Sequence, residues 1–165
     1  MMVCSEIVDK KKLEKHKSRR REFCKLEEAI TNIDNVLKSP AGVKYSDMPR
    51  SQKPFDKMGN LLSDKLEKEK RQKKLARIIS EEQAVIETIL DKMLILPESS
   101  KGPMNTELRD VLRYFYIFDF NWEEILKIFC LGNDEFIDNH ESNLRKLHKW
   151  HGYALSKFIK CQINR

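Results

Sequence analysis

The sequence predicts an all-α protein, with a long coiled-coil helical arm followed by a small helix-turn-helix bundle. Of its 165 residues 35% are charged, and only five are Gly and five are Pro, whereas an average globular domain has about 25% charged residues and roughly twice as much Gly and Pro. Seams with steps of three and four can be drawn from Phe23 to Leu37 and, with polar interruptions, from Leu62 to Met93, which is typical of coiled coils. Both Trp and three of the four Tyr lie in residues 105–163, which predicts a compact core there.

The first predicted helix covers residues 6–38. Its apolar seam is Phe23, Leu26, Ile30, Ile33 and Leu37. Upstream, residues 10–21 carry eight Lys or Arg, and Leu13 is the apolar residue among them, so we expect the first turns to fray or to meet a partner. Residues 39–54 follow with three prolines, and they predict a linker because proline cannot continue a helix.

The second predicted helix covers residues 55–96 and completes an arm of residues 1–96. A heptad seam can be drawn along it through Leu62, Leu66, Glu69, Lys73, Ala76, Ile79, Gln83, Ile86, Leu90 and Met93. Polar seam positions set register or partner number in coiled coils. The pattern fits an antiparallel hairpin with the first helix, a dimer-forming coil, or both.

Residues 97–103, with two prolines and a glycine, predict a second linker, and residues 104–165 the helix-turn-helix domain. Asn105 and Thr106 can cap a helix that runs to about Tyr116, and Asn121 can cap the next. A last helix starts at Glu141 and Ser142. Its predicted inward stripe is Leu144, Leu147, His151, Leu155 and Phe158.

The outward face of the last helix is the candidate DNA-binding surface. Residues 142–165 contain six Lys or Arg and no acidic residue, which favours a polyanionic partner. Asn amides pair with adenine, Arg and Lys donate to guanine, and a further cation suits phosphate. The candidate residues are Ser142, Asn143, Arg145, Lys146, Lys149 and Tyr153. A merely solvated basic face is the alternative, and Trp150 in this helix is expected to pack on the preceding helix.

Several functional classes are not expected. No Gly-rich phosphate loop, nucleophile elbow or metal-ligand spacing is present, so we expect no enzyme, no cofactor and no metal. The longest apolar runs are far short of the ~20 residues that span a bilayer, and residues 1–12 lack the apolar core of a signal peptide. The four cysteines are expected to be reduced thiols, with Cys24 and Cys130 packed as small hydrophobic side chains.

Three segments of the C-terminal half resemble the phage ArpU/RinA-type transcriptional regulators. They are residues 111–117 (VLRYFYI), 121–125 (NWEEI) and 151–155 (HGYAL), in the layout of sigma-factor region 4. Residues 45–50 (YSDMPR) and 56–58 (DKM) resemble a segment of streptococcal phage proteins of this kind. Together they span about residues 43–160. Leu126 stands where the family has Ala, and about ten residues replace the usual compact turn before the last helix.

The resemblance implies a sigma-factor region 4-like helix-turn-helix and transcription regulation of phage genes, with activation of a late operon expected. The implied partners are double-stranded DNA, further copies of the chain through the arm, and RNA polymerase, in the cytoplasm of a bacterial host. The alternative is a coiled-coil adaptor that binds RNA polymerase, a packaging subunit or a host protein without specific DNA binding. The acidic loop of residues 132–141 favours the adaptor, because its charge repels phosphate or offers a protein contact.

Overall fold

The structure, a computed structural model, describes residues 8–38, 57–98, 102–132 and 140–163, all helical or connecting, with no strand among them. The helices are α1 (Lys10–Lys38), α2 (Lys57–Met93), α3 (Asn105–Leu112), α4 (Trp122–Gly132) and α5 (His140–Ile163), and α3 continues as a π-helical turn over Arg113–Ile117. The predicted all-α class is confirmed. The predicted linker of residues 39–54 lies outside the described residues.

The chain divides differently from the predicted arm, linker and bundle. One unit comprises Met1–Arg20 with Ile79–Arg165, and the other comprises Arg21–Ile78. The boundary therefore falls within the two long helices and not at residues 97–103. The physical reason is that the start of α1 and the end of α2 bury apolar side chains with the C-terminal helices, as the core of the first unit shows.

The core of the first unit draws on all five helices. The first turn of α1 contributes Leu13, which is 1% exposed, so this turn packs in the core, whereas its sequence predicts fraying or contact with a partner. The end of α2 contributes Ile86, Leu90 and Met93. The three C-terminal helices supply the rest, including Leu108, Val111, Leu112, Tyr116, Ile117, Ile125, Leu126, Leu147, Trp150, Ala154 and Phe158.

Polar contacts fix the basic start of α1 in the same unit. The Lys17 ammonium lies 3.3 Å from the centroid of the Phe115 ring and 3.2 Å from Asp119 Oδ1, so a nearly buried cation is paired. The side chain of Gln162, near the end of α5, accepts a hydrogen bond from the Val8 amide at 2.7 Å and donates to the Val8 carbonyl at 2.9 Å. These contacts explain why this stretch, despite its charge, belongs to the core unit.

In the second unit, residues 21–38 of α1 pair antiparallel with the part of α2 up to Ile78. The Arg71 Nε donates to Glu22 Oε1 at 2.9 Å, and Lys65 pairs with Asp34. The predicted α1 seam is confirmed, because Phe23, Leu26, Ile30 and Leu37 are half-buried and Ile33 is buried.

The residues of the predicted α2 seam are buried or half-buried from Ile79 to Met93, whereas most of those before Ile79 are exposed. Leu62 and Leu66 are 51% and 52% exposed. The residues of α2 that α1 covers each lie one position before a residue of the predicted seam. They are Leu61, Lys65, Lys68, Gln72 and Leu75. The methylene groups of a lysine can cover apolar surface while its ammonium group reaches outward. Because a periodicity of apolar residues does not count lysines, it does not detect this covered face.

The starts of α3 and α4 have side-chain caps. The Glu124 amide donates to Asn121 Oδ1 at 2.9 Å, and the Asn121 amide donates back to Glu124 Oε2 at 2.7 Å, which is the capping box expected of Asn121. At α3 the corresponding position is Met104, whose amide donates to Glu107 Oε2 at 2.7 Å. Asn105 instead lies within the first turn, where it is buried, and its side-chain Nδ2 donates to the Leu96 carbonyl at 2.6 Å.

Candidate nucleic-acid interface

One face of α5 fixes the helix in the core of the first unit, and the opposite face is solvent-exposed. The inward residues Leu147, Ala154 and Phe158 are fully buried. Trp150 is 5% exposed, and its ring lies 5.9 Å from the Phe129 ring of α4 in an edge-to-face arrangement. The expected packing of Trp150 on the preceding helix is confirmed, so this indole is not available to stack on a base.

Four of the six predicted DNA-binding residues lie on the exposed face of α5, namely Ser142, Arg145, Lys149 and Tyr153. The prediction that Asn143 lies there is wrong, because Asn143 is 6% exposed and cannot reach a base edge from the buried side of the helix. Lys146 is half-buried, with its ammonium 5.5 Å from the centroid of the Trp150 ring. The predicted inward residues Leu147 and Phe158 are buried, and Leu144, His151 and Leu155 are half-buried. The sequence pattern missed Asn143 because the buried stripe is wider than predicted and also includes Asn143 and Trp150.

The acidic residue of this exposed face is Glu141, in the first turn of α5. Arg145 Nη2 lies 2.6 Å from Glu141 Oε1, and both side chains are about three-quarters exposed. An exposed pair one turn apart on a helix stabilises by only ~0.3–0.5 kcal/mol. The Arg145 guanidinium can therefore exchange Glu141 for a phosphate or a base edge at little cost.

The exposed face continues past the last residue that the sequence analysis selected. Ser156 and Lys160 are exposed and follow Lys149 and Tyr153 at helical spacing, and Gly152 beside them is exposed as well. The signal was present in the sequence, since residues 149, 153, 156 and 160 follow steps of four, three and four. From Ser142 to Ile163 the face has no carboxylate.

Beneath this face, His151 is held in an aromatic cluster. Its Nε2 lies 3.1 Å from the Tyr116 hydroxyl, and its ring lies 5.2 Å from Trp122 and 5.3 Å from Phe115. Burial, with smaller contributions from Lys10, His148 and Lys17, lowers the pKa of His151 to about 4. Burial likewise raises the pKa of Tyr116 to about 12. The Tyr116 hydroxyl is thus hydrogen-bonded to a neutral imidazole, and the pair packs in and against the core.

The other predicted features have mixed outcomes. Cys130 and Cys161 are half-buried and packed against the core, and burial raises the pKa of the Cys161 thiol. Cys24 is exposed, so its predicted packing is wrong. The described residues hold no group of three His, Cys, Asp or Glu side chains that could bind a metal ion. Most of the acidic loop, residues 133–139, lies outside the described residues, so its expected role stays a prediction.

Within the described parts of the chain, no helix combines the length and apolar character needed to cross a membrane. Comparison of the chain with protein-family models, curated protein sequences and solved structures returned no match.

Proposed function

We propose that this protein is a DNA-binding transcriptional regulator that acts as an oligomer, of the phage ArpU/RinA type that its sequence resembles. The observation that carries the proposal is the exposed face of α5. Arg145, Lys149 and Lys160 lie on it, and Glu141 at its start is the acidic residue of that face. Activation of late phage genes is the expectation that the resemblance adds.

The chemistry of this face suits double-stranded DNA. Cations at helical spacing contact phosphates and release counterions, which supplies most of the affinity, and an Arg near the start of the helix can donate two hydrogen bonds to guanine. The core contacts of Leu147, Trp150 and Phe158 fix the helix, so it can be presented without an ordering cost. The burial of Asn143 leaves Arg145 as the main candidate for base contact.

The proposal is tested by replacing Arg145 and Lys149 with Ala together, both being exposed. We expect the double variant to bind its preferred DNA about tenfold to a hundredfold more weakly, because a bidentate base contact contributes ~1–3 kcal/mol of discrimination and a lost phosphate contact adds to it. The measurement is fluorescence anisotropy with fragments of the native genome and scrambled competitor at two salt concentrations.

The matched control is Lys70→Ala with Lys74→Ala, which removes two exposed cations from α2. It should bind DNA like the wild-type protein. Equal losses in the two double variants would mean that net charge and not the α5 face drives binding. Weak, uniform binding that disappears with salt would contradict specific recognition.

Self-association is the second part of the proposal, and an exposed apolar stripe on α2 supports it. Met58, Leu62 and Leu66 lie one turn apart and are 61%, 51% and 52% exposed. Among the described residues of this unit, the buried apolar side chains are Ile33 and Leu75, which is a small core for two helices. Short helical segments depend on packing for stability. A second copy would cover the stripe as the predicted heptad seam requires.

Leu62→Asp with Leu66→Asp should therefore convert the oligomer into a monomer, because two charges would be buried at the interface. Light scattering after size-exclusion chromatography gives the mass. The control Asn60→Asp with Ser63→Asp adds the same two charges at exposed positions of the same helix and should keep the wild-type mass. A wild-type protein that is monomeric at micromolar concentration would contradict the role of the stripe.

The same stripe supports a second candidate function, the coiled-coil adaptor. Exposed apolar side chains at helical spacing also fit a helix of another protein, such as RNA polymerase, a packaging subunit or a host factor. The adaptor becomes the favoured function if the wild-type protein shows no DNA binding in the titration above.

A further inference from the structure

A cleft of about 320 Å³ lies beside the second half of α5, between that helix and the residues that precede α3. Its polar lining consists of Tyr153, Ser156, Lys157 and Lys160, and Pro103 and Leu108 contribute apolar surface. The lining therefore offers two ammonium groups and two hydroxyl groups as hydrogen-bond donors, and no carboxylate of the described residues lines it.

The position of one ammonium is fixed without loss of its charge. Lys157 Nζ donates to Asn105 Oδ1 at 2.5 Å, while Nδ2 of the same Asn105 side chain donates to the Leu96 carbonyl at 2.6 Å. Because an amide oxygen is neutral, Lys157 keeps its full charge and two further donors. Lys160 is exposed one turn further along α5. An anion is the ligand class that this arrangement fits.

Gly152 gives an independent indication that a partner approaches this face. It lies inside α5 and is exposed, and a Cβ built there would meet no atom within 4 Å. Glycine in a helix interior costs about 1 kcal/mol relative to alanine, and the packing of this chain makes no use of the missing side chain. A partner that comes close to the helix backbone would use it.

We propose that the face of α5 from Gly152 to Lys160, with the adjoining cleft, binds the sugar-phosphate backbone of DNA. This inference rests on the proposed function and assigns the backbone contact to the second half of α5, beyond Lys149, which the sequence pattern favours for phosphate. The exposed residues from Lys149 to Lys160 span ~16 Å along the helix axis. This length exceeds the size of one phosphate group and fits several successive phosphates of one strand. Gly152 allows the strand to lie against the helix, and Ser156, Lys157 and Lys160 hold phosphate oxygens.

The test compares Lys160→Ala and Gly152→Ala with the wild-type protein in the anisotropy titration. Lys160→Ala should weaken binding about threefold to tenfold on every DNA sequence and reduce the slope of log affinity against log salt by about one, as loss of one phosphate contact does. Gly152→Ala should weaken binding about tenfold or more while it raises the unfolding temperature by about 2–4 °C. Lys70→Ala, on α2, is the control and should match the wild type.

Each alternative result has a distinct meaning. If the wild type binds DNA and both α5 variants bind equally well, this inference is overturned and the proposed function stands. If Gly152→Ala lowers affinity and the unfolding temperature together, the glycine serves the fold and the inference is overturned. If the wild type binds no DNA at any salt concentration, both the inference and the proposed function are overturned.

Discussion

Replacing Leu13 with alanine should lower the free energy of unfolding by about 2–5 kcal/mol, the usual cost of truncating a fully buried leucine. Leu13 is 1% exposed and belongs to the core cluster of the first unit. The loss includes both the transfer free energy of the deleted carbons and the cavity that they leave. The effect is notable because Leu13 stands among basic residues, in a segment whose sequence indicates a solvated helix.

The measurement is equilibrium unfolding in urea, followed by tryptophan fluorescence. Trp122 and Trp150 both pack in or against the same core, so their signal reports this unit. Val85→Ala is the control, since Val85 on α2 is 51% exposed and its truncation should change stability by less than about 0.5 kcal/mol. If Leu13→Ala is as mild as Val85→Ala, the start of α1 does not belong to the core.

Acidification should destabilise the protein through His151. The pKa of this histidine is about 4 in the folded protein against 6.5 as its ordinary value, so between these values the unfolded chain binds a proton that the folded chain does not. The stabilisation is fully present above pH 6.5 and is lost as the pH falls towards 4. This difference in pKa contributes about 3 kcal/mol to the free energy of unfolding. About 2 kcal/mol of that contribution is lost between pH 7.5 and pH 5.

The physical cause is the surroundings of the imidazole. A second proton on the ring would place a charge among aromatic rings and away from water, although Nε2 lies 3.1 Å from the Tyr116 hydroxyl. His16 acts in the same direction, because burial, with Arg20 and Arg19, lowers its pKa as well. Glu82 lies 3.3 Å from His16 Nδ1 and also pairs with Arg19.

Urea unfolding at a series of pH values tests this, with His151→Gln as the comparison. The glutamine oxygen can still accept from Tyr116 but does not titrate, so the variant should lose most of the pH dependence between 7.5 and 5, whatever its stability at neutral pH. A variant that keeps the whole slope would show that His151 is not the source. Titration of the His151 ring protons by NMR gives the pKa directly.

The candidate interface could be predicted from the sequence only in part. Arg145, Lys149 and Tyr153 were selected by helical periodicity and are exposed. Asn143 was selected by the same rule and is buried. The error arises because the core packs on Trp150 and Asn143 as well as on the predicted Leu144. Periodicity indicates the centre of a buried stripe, while the neighbouring helices decide how wide a stripe they cover.

The sequence by itself determined what local chemistry controls. Low Gly and Pro content and the three-four apolar spacing determined the helices, and Asn121 with Glu124 determined the start of α4. Only the tertiary structure decided how the chain divides, that Leu13 and Lys17 join the core, and that Leu62 and Leu66 remain exposed. Burial depends on contacts between residues far apart in the chain, such as Val8 with Gln162. A local pattern does not contain them, and the free energy of those contacts outweighs the preference of a basic segment for water.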